Sequence, residues 1–241
     1  MTRPRAVVVV TGSELVRGDR TDLNGPYLAA ELLRLGIEPA RIVIVGDRED
    51  ELADALGEGL RADLCVVSGG LGPTHDDRTV ELVARAAGVG LRLDEPLHDQ
   101  IGGISRRFAH RLGRPYVDFE AGVRKQATIP EGALSLGLAG TAPGLVLEAP
   151  RAVVVVLPGP PAELRRLWAE ALRVEPVRRV LDRAQPPELR LPQPDRARSA
   201  TMAAKTRTRL RYAVCRYASF ATTDEKGRNA IRLERAASEY E

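Results

Sequence analysis

Glycines and two acidic residues follow a short apolar run near the middle of the chain. Residues 65–79 have the sequence CVVSGGLGPTHDDRT. The apolar start suits a central strand of a parallel sheet, and ligands bind at the carboxyl ends of such strands. Glycines let backbone N–H groups approach an anion without a Cβ in the way. The segment therefore predicts a phosphate site at Ser68, Gly69, Gly70 and Gly72, with an ordinary strand-to-helix turn as the alternative.

Asp76 and Asp77 add a second kind of chemistry to this segment. Two adjacent carboxylates would repel a phosphate unless a divalent metal ion stood between them, and magnesium is commonly held by one or two carboxylates together with phosphate oxygens. We therefore predict that both acids hold a divalent metal ion. The alternative is that Thr74 or Asp76 caps the helix expected over residues 78–87, with both acids favourably placed at its positive end.

Two further segments place polar residues near the ends of expected strands. After the first strand, a Gly-Ser-Glu turn puts Ser13 and Glu14 at the mouth of the sheet, and Asn24 lies at the start of the next helix. The alternative for this segment is a turn with a helix cap. Arg124 and Lys125 form a cationic pair ahead of a short strand. Either cation suits the neutralisation of a phosphate, and surface charge is the alternative.

The elements that must position these residues alternate between apolar strands and amphipathic helices. The first part of the chain predicts strands at 6–10, 41–45 and 64–67 and helices at 23–35, 49–61 and 78–87. The second part predicts a helix at 94–112 interrupted by Gly102 and Gly103, a strand pair at 144–148 and 151–157, and a helix at 160–172. Such alternation is typical of an α/β fold with a mostly parallel sheet covered on both faces.

The chain is expected to divide into residues 1–174 and a basic tail, residues 175–241. The tail holds 15 Lys and Arg against 9 Asp and Glu, whereas residues 1–174 hold 21 against 24. The tail is rich in proline and poor in large apolar residues, so we expect it to be poorly ordered. Nucleic-acid binding is the weaker expectation for it, because solvated arginine-rich tails are commoner.

Composition excludes several other classes of protein. No apolar stretch approaches the roughly 18 residues that span a bilayer, and the first residues carry no signal-peptide pattern. We therefore expect no membrane segment and a cytoplasmic location. Two cysteines and three histidines in 241 residues make a disulfide framework or a zinc cluster improbable.

Six motifs, in order along the chain, carry a family resemblance. They are GSEL (12–15), VGD (45–47), SGGLGPTHDDRT (68–79), RKQA (124–127), GTAPG (140–144) and LPGPPAEL (157–164). With Asn24, they resemble the amino-terminal domain of the CinA (competence and damage-inducible protein A) family, which belongs to the molybdopterin-binding group that includes MogA, MoaB and part of gephyrin. The resemblance covers residues 5–172 and implies a three-layer α/β sandwich.

The resemblance also implies roles for individual residues. Ser68, Thr74 and the N–H groups of residues 69–72 would cradle phosphate oxygens, and Lys125 would offset charge on the leaving phosphate. Asp47 would bind a ribose hydroxyl or position water. The remaining candidates are the ligand-binding residues Ser13, Asn24, Gly159 and Glu163, and Glu14 as a third metal ligand beside Asp76 and Asp77.

For the CinA branch, the resemblance implies hydrolysis of the pyrophosphate bond in ADP-ribose-like nucleotides with a divalent metal ion (Mg, Co or Mn). For the wider group it implies binding of a pterin phosphate, with molybdopterin as a ligand and no hydrolysis. A third alternative is an inactive, truncated CinA-like remnant. The helix expected at 160–172 has more apolar residues than one buried stripe holds. Related domains often associate through such surfaces, so we expect a homo-oligomer.

Two departures from the family limit these expectations. Full-length relatives carry a nicotinamide-nucleotide amidase domain, and nothing after residue 174 resembles it, so we expect no amidase activity. Leu23 stands where many relatives have threonine between Asp22 and Asn24, which removes a hydroxyl from the expected site.

Overall fold

A six-stranded sheet lies at the centre of the computed structural model, which describes residues 3–184 of the chain. Within these residues the eight strands are β1 (Arg5–Thr11), β2 (Glu38–Val45), β3 (Leu64–Ser68), β4 (Leu91–Leu93), β5 (Thr128–Pro130), β6 (Leu134–Leu138), β7 (Pro143–Glu148) and β8 (Val153–Leu157). β4 and β5 form a separate two-stranded antiparallel sheet. The central strands are runs of valine and leucine, which suits strands that are buried on both faces.

The strand order of the large sheet is β2-β1-β3-β8-β7-β6. β1 is parallel to β2 and β3, and β3 is parallel to β8. β7 runs antiparallel to both β8 and β6. The carboxyl ends of β2, β1, β3 and β8 therefore lie side by side at one edge of the sheet, which we call the carboxyl edge. This mixed, mostly parallel sheet confirms the predicted fold class.

Helices cover both faces of the sheet. They are α1 (Ser13–Val16), α2 (Asn24–Arg34), α3 (Glu49–Gly59), α4 (Thr79–Ala87), α5 (Glu95–Leu112), α6 (Val117–Gln126), α7 (Pro161–Ala171) and α8 (Glu175–Asp182). Alternate residues of β1 face opposite layers: Val7 and Val9 pack with α3 and α4, whereas Ala6, Val8 and Val10 pack with α2 and α7. The result is the predicted three-layer sandwich.

α5 is one continuous helix, contrary to the predicted interruption at Gly102 and Gly103. A Cβ on Gly102 would lie 3.2 Å from the Tyr116 hydroxyl, so the small residue lets the segment before α6 approach α5 closely. A glycine inside a helix costs only about 1 kcal/mol. Asp94 offsets part of this cost by accepting a hydrogen bond from the Leu97 N–H (3.1 Å) at the start of the helix.

The predicted boundary at residue 174 falls one helix too early. α8 begins at Glu175, and its Val177 and Val180 are buried in the same core as α7 and β8. The sequence prediction missed this helix because only a few of its residues are apolar. The rest of the predicted tail, residues 185–241, lies outside the described residues.

The apolar face of α7 is covered within the chain itself. Leu164, Leu167, Trp168 and Ala171 are at most 1% exposed, so this face does not require a second subunit. The homo-oligomer expected from the sequence stays a prediction. In the part of the chain that the structure describes, no helix combines the length and the apolar character needed to cross a membrane.

Candidate functional site

The turn that follows β3 is built around two glycines with left-handed backbone conformations. Gly69 has φ = 105° and Gly70 has φ = 64°. A Cβ on Gly69 would lie 2.4 Å from the Thr11 carbonyl oxygen, and one on Gly70 would lie 2.2 Å from Thr79 Oγ1. The buried Thr79 hydroxyl donates to the Gly69 carbonyl (2.9 Å). The protein's own packing therefore requires both glycines.

Within the described residues, this turn leaves three backbone donors without a recorded acceptor. The carbonyls of Gly70 and Leu71 accept hydrogen bonds from the Thr79 N–H (3.3 Å) and Gln126 Nε2 (2.9 Å). Within residues 3–184, no acceptor is recorded for the N–H groups of Gly70, Leu71 and Gly72. Successive free N–H groups in a glycine turn are typical of an anion site.

The same three residues line a cavity of about 230 Å³, which we call the Lys125 cavity. Its other lining residues include Asp77, Lys125 and Gln126. Lys125 lies in the last turn of α6, and its Nζ donates to the Thr74 carbonyl. Arg124 is exposed and does not line this cavity. Of the two candidate cations, Lys125 is the one at the glycine turn.

The structure separates the roles of the two adjacent acids. Asp77 Oδ2 accepts hydrogen bonds from the Thr74 N–H (3.0 Å) and from the Thr74 hydroxyl, so it closes the turn ahead of α4. The Asp76 side chain is 82% exposed, and within residues 3–184 its one recorded polar contact is with His75 Nδ1, at 3.6 Å. The alternative named Thr74 or Asp76 as the cap of α4, but the start of α4 has no side-chain cap, and the acid that closes the preceding turn is Asp77. Asp77 also engages both donors of Thr74.

The three predicted metal ligands do not share one site. Glu14 lines a different cavity from Asp77, and Asp76 faces solvent. Among residues 3–184, no three side chains of His, Cys, Asp or Glu form a group suited to a metal ion. The described side chains alone therefore do not make a fitting metal site.

A second and larger cavity, about 430 Å³, opens between the ends of β1, β3 and β8. We call it the Asn24 cleft, because Asn24 at the start of α2 joins the loops around it. Asn24 Nδ2 donates to Ser68 Oγ (3.0 Å) and to the Gly159 carbonyl (2.8 Å). Asp22 fixes this helix start by accepting from the backbone N–H groups of Asn24 (2.8 Å) and Gly25 (3.0 Å).

All hydrogen-bond donors of the Ser68 and Asn24 side chains have protein acceptors. The Ser68 hydroxyl donates to the Pro158 carbonyl (3.3 Å), and both hydrogens of the Asn24 amide have acceptors. Neither side chain has a donor left for a phosphate oxygen, in contrast to the role expected from the sequence. Leu23 is 59% exposed and also lines the cleft.

Ser13 and Asp47 meet across the ends of β1 and β2. The Ser13 hydroxyl donates to Asp47 Oδ2, and Ser13 Oγ accepts from the Asp47 N–H (3.3 Å). Neither residue lines the Lys125 cavity or the Asn24 cleft. Both therefore lie at the carboxyl edge as predicted, but beside the two cavities.

Glu163 lies in the first turn of α7 and faces the loop between β6 and β7. A Cβ on Gly140 would lie 2.4 Å from Glu163 Oε1, so the carboxyl group covers this glycine. Burial raises the pKa of Glu163 above its ordinary value. Glu163 lines neither the Lys125 cavity nor the Asn24 cleft, so its expected role in ligand binding stays a prediction.

Three residues that hold the glycine turn were missed by the sequence prediction. Thr11 and Thr79 pack against Gly69 and Gly70, and buried Gln126 holds the Leu71 carbonyl. Two of them stood inside the quoted motifs, as the last residue of SGGLGPTHDDRT and the third of RKQA. The motif signal was therefore available, but a threonine or glutamine alone does not indicate which carbonyl it will bind.

Comparisons with known proteins identify relatives over most of the chain. Residues 7–179 match the model of a family described as a probable molybdopterin binding domain. A CinA-like protein of Mycobacterium sp. (strain MCS) is 48% identical over 181 residues, and one of Mycobacterium tuberculosis (strain ATCC 25177 / H37Ra) is 45% identical over 183 residues. These matches cover 72% of this chain, but 42% and 41% of those proteins. The chain thus matches only about two fifths of their length.

A solved structure agrees with these matches. The crystal structure of CinA from Thermoplasma acidophilum, a protein of unknown function, is 33% identical in sequence with a TM-score of 0.61. The match covers 71% of this chain and 96% of that protein. The similarity therefore extends over nearly the whole of that structure.

Proposed function

Since the chain belongs to the molybdopterin-binding domain family, and within it to the CinA-like proteins, we propose that its carboxyl edge binds a phosphate-bearing ligand, either a nucleotide or a pterin phosphate. The phosphate lies in the Lys125 cavity. The organic part of the ligand extends towards the larger Asn24 cleft.

One observation carries this proposal: residues 70–72, whose N–H groups have no recorded acceptor within residues 3–184, line the same cavity as Lys125. A phosphate there would accept hydrogen bonds from a preformed row of donors that have no competing partner within the described residues. Lys125 would supply a point charge. Two carboxylates also line the cavity. Asp77 is held against the turn by its hydrogen bonds to Thr74, and Glu81 pairs with Arg78 and Arg85.

We extend the proposal to hydrolysis of the pyrophosphate bond in an ADP-ribose-like nucleotide. Lys125 is placed to offset charge that develops on a leaving phosphate bound at the turn. A divalent metal ion would supply Lewis-acid chemistry. Because Glu14, Asp76 and Asp77 do not share a site, oxygens of the ligand's own phosphates would have to complete the coordination of such an ion.

The separation of Glu14, Asp76 and Asp77 also favours a second candidate function. This candidate is a protein that binds molybdopterin or a related pterin phosphate and catalyses no hydrolysis. It needs the free N–H groups and Lys125, but no metal ligands. Both candidates share the phosphate site, and they differ only in turnover.

The test combines calorimetric titration with a hydrolysis assay on the purified chain. We expect inorganic phosphate, AMP and ADP-ribose to bind, and ADP-ribose to be cleaved when magnesium, cobalt or manganese is added. Binding without cleavage under any metal would select the non-catalytic candidate. Absence of binding by all three ligands would overturn the proposal as a whole.

A further inference from the structure

The orientation of the Asn24 amide is fixed by its surroundings. The amide atom that lies 2.8 Å from the Gly159 carbonyl oxygen must be the nitrogen, because a carbonyl oxygen can only accept a hydrogen bond. The same nitrogen donates to Ser68 Oγ at 3.0 Å. The amide oxygen, Oδ1, therefore points away from both of these protein partners.

Asn24 Oδ1 is an acceptor that the protein leaves unused. The residue is only 7% exposed and lines the Asn24 cleft, yet no donor to Oδ1 is recorded within residues 3–184. In that part of the chain, the side-chain atoms sealed from solvent without a partner are Arg3 Nη2 and Trp168 Nε1. Oδ1 is not one of them, so it remains accessible from the cleft.

The charges around the cleft also favour hydrogen-bond donors of a ligand over its anionic groups. Glu14 and Asp22 line it, and among residues 3–184 Arg20 is the one cation in the lining. The Glu14 carboxylate has no recorded hydrogen bond or ion pair within the described residues. The donors of Ser68 and Asn24 are already taken. At Asn24, therefore, the wall of the cleft offers an oxygen acceptor and no free hydrogen.

We propose that Asn24 Oδ1 is a specificity-determining acceptor, which selects a ligand whose nucleoside part presents an O–H or N–H donor at this point. This inference rests on the proposed function, because it assumes that the phosphate of the ligand is bound in the neighbouring Lys125 cavity. It assigns the two cavities opposite preferences: donors of the protein meet the phosphate, and an acceptor of the protein meets the nucleoside.

An acceptor in such a cleft discriminates between ligands because its oxygen is left without a hydrogen bond when the wrong ligand binds. A ligand that lacks the matching donor displaces water from Oδ1 and leaves the oxygen without a partner, which costs more than a missing surface contact. We expect the loss of one neutral hydrogen bond to weaken binding about tenfold.

The experiment measures affinity for AMP and for three analogues that each lack one donor: 2′-deoxy-AMP, 3′-deoxy-AMP and purine riboside 5′-monophosphate. Calorimetric titrations are run on the full chain and on the variants Asn24→Ala and Ser68→Ala, with inorganic phosphate as the probe for the phosphate site. The three analogues distinguish a ribose hydroxyl from a base amine. Thermal melting checks that each variant is folded.

We expect one analogue to bind the natural chain about tenfold more weakly than AMP. In Asn24→Ala the ratio between AMP and that analogue should fall to about 1, since the selecting acceptor is gone. Ser68→Ala removes a partner of the Asn24 nitrogen but keeps Oδ1, so its ratio should stay near that of the natural chain. A purely structural Asn24 would weaken AMP and the analogue equally and preserve the ratio.

Different results would contradict the role of Asn24 and the proposed phosphate site. If phosphate binds but AMP and all three analogues bind equally, or if the ratio survives in Asn24→Ala, the role of Asn24 is overturned while the phosphate site stands. If neither inorganic phosphate nor AMP binds the natural chain, the proposed function fails, and the role of Asn24 fails with it.

Discussion

The turns that follow β3 and β8 are neighbours at the carboxyl edge, and they use glycine for different reasons. After β3, the space beside Gly69 and Gly70 is filled by Thr11 and Thr79. After β8, a Cβ on Gly159 would find its nearest neighbour, Gly69 Cα, at 3.7 Å, which is ordinary contact. The first turn is packed against its own protein, whereas the second leaves room towards the Asn24 cleft.

This difference shows what a glycine motif can and cannot indicate. In the β3 turn the glycines let the chain take a left-handed path, and the feature proposed to face the ligand is the set of N–H groups that have no recorded acceptor within residues 3–184. In the β8 turn the backbone supplies an acceptor, the Gly159 carbonyl, which holds Asn24. The same glycine substitution made in each of the two turns therefore tests this difference directly.

The largest expected effect is on stability, from Gly70→Ala. The substitution places a Cβ 2.2 Å from Thr79 Oγ1 at a residue with φ = 64°. We expect the free energy of unfolding to fall by about 2–4 kcal/mol, through backbone strain and overpacking. Gly159→Ala is the matched control, and it should change stability by no more than about 0.5 kcal/mol. Chemical denaturation of both variants measures the difference.

Equal stability of the two variants would contradict this comparison. It would mean that the β3 turn relaxes around a side chain, and that its glycines serve the ligand rather than the fold. Phosphate titration of a stable Gly70→Ala protein would then show whether the N–H groups still bind an anion.

The second prediction concerns the charge beside the β3 turn. Lys125→Met keeps the length of the side chain and removes its ammonium, so phosphate should bind about tenfold more weakly and with a smaller dependence on salt concentration. Arg124→Met is the control, because Arg124 is the adjacent cation and lies outside the cavity lining. Titration at two salt concentrations measures both effects. Equal losses in the two variants would indicate a general surface field instead of a site.

The third prediction separates the two acids of the same turn. Asp77→Asn replaces a charged acceptor of two Thr74 donors by a neutral one, so it should lower the free energy of unfolding by about 1 kcal/mol. Asp76→Asn should leave stability within about 0.5 kcal/mol, because that side chain is 82% exposed. Thermal melting compares the variants. A larger loss from Asp76→Asn would show that the structural acid has been misassigned.

The sequence predicted the layers and the edge where the site lies, because apolar runs and strand-end glycines are local signals. It missed α8, whose few apolar residues matter only once Val177 and Val180 reach the α7 layer. It also grouped Glu14 with Asp76 and Asp77, although the fold places Glu14 in the Asn24 cleft, Asp77 in the Lys125 cavity and Asp76 in solvent.

Donor and acceptor roles were the least predictable part of the site. Ser68 and Asn24 are polar residues at the expected edge, and either could have served a phosphate. Whether their hydrogens are free depends on the carbonyls of Pro158 and Gly159, more than 80 residues away along the chain. Such long-range partners leave no trace in local residue spacing.

The smallest expected effect lies at the start of α7, next to the β8 turn. Burial raises the pKa of Glu163, so desolvation outweighs the favourable field of the helix start. The folded state then binds the Glu163 proton more tightly than the unfolded state does.

The contribution of this group to stability is full below the ordinary pKa of glutamate, and it is lost as the pH rises through the higher, folded pKa. Glu163→Gln removes this titration, so the melting temperature of the variant should gain slightly on that of the natural chain as the pH rises above the ordinary pKa of glutamate, about 4. Glu170→Gln is the control for removing a charge from α7, since Glu170 pairs with Arg173 on the surface. A difference between Glu163→Gln and the natural chain that does not change with pH would mean that water reaches this carboxyl group, and that the β8 side of the edge is as open at Glu163 as it is at Gly159.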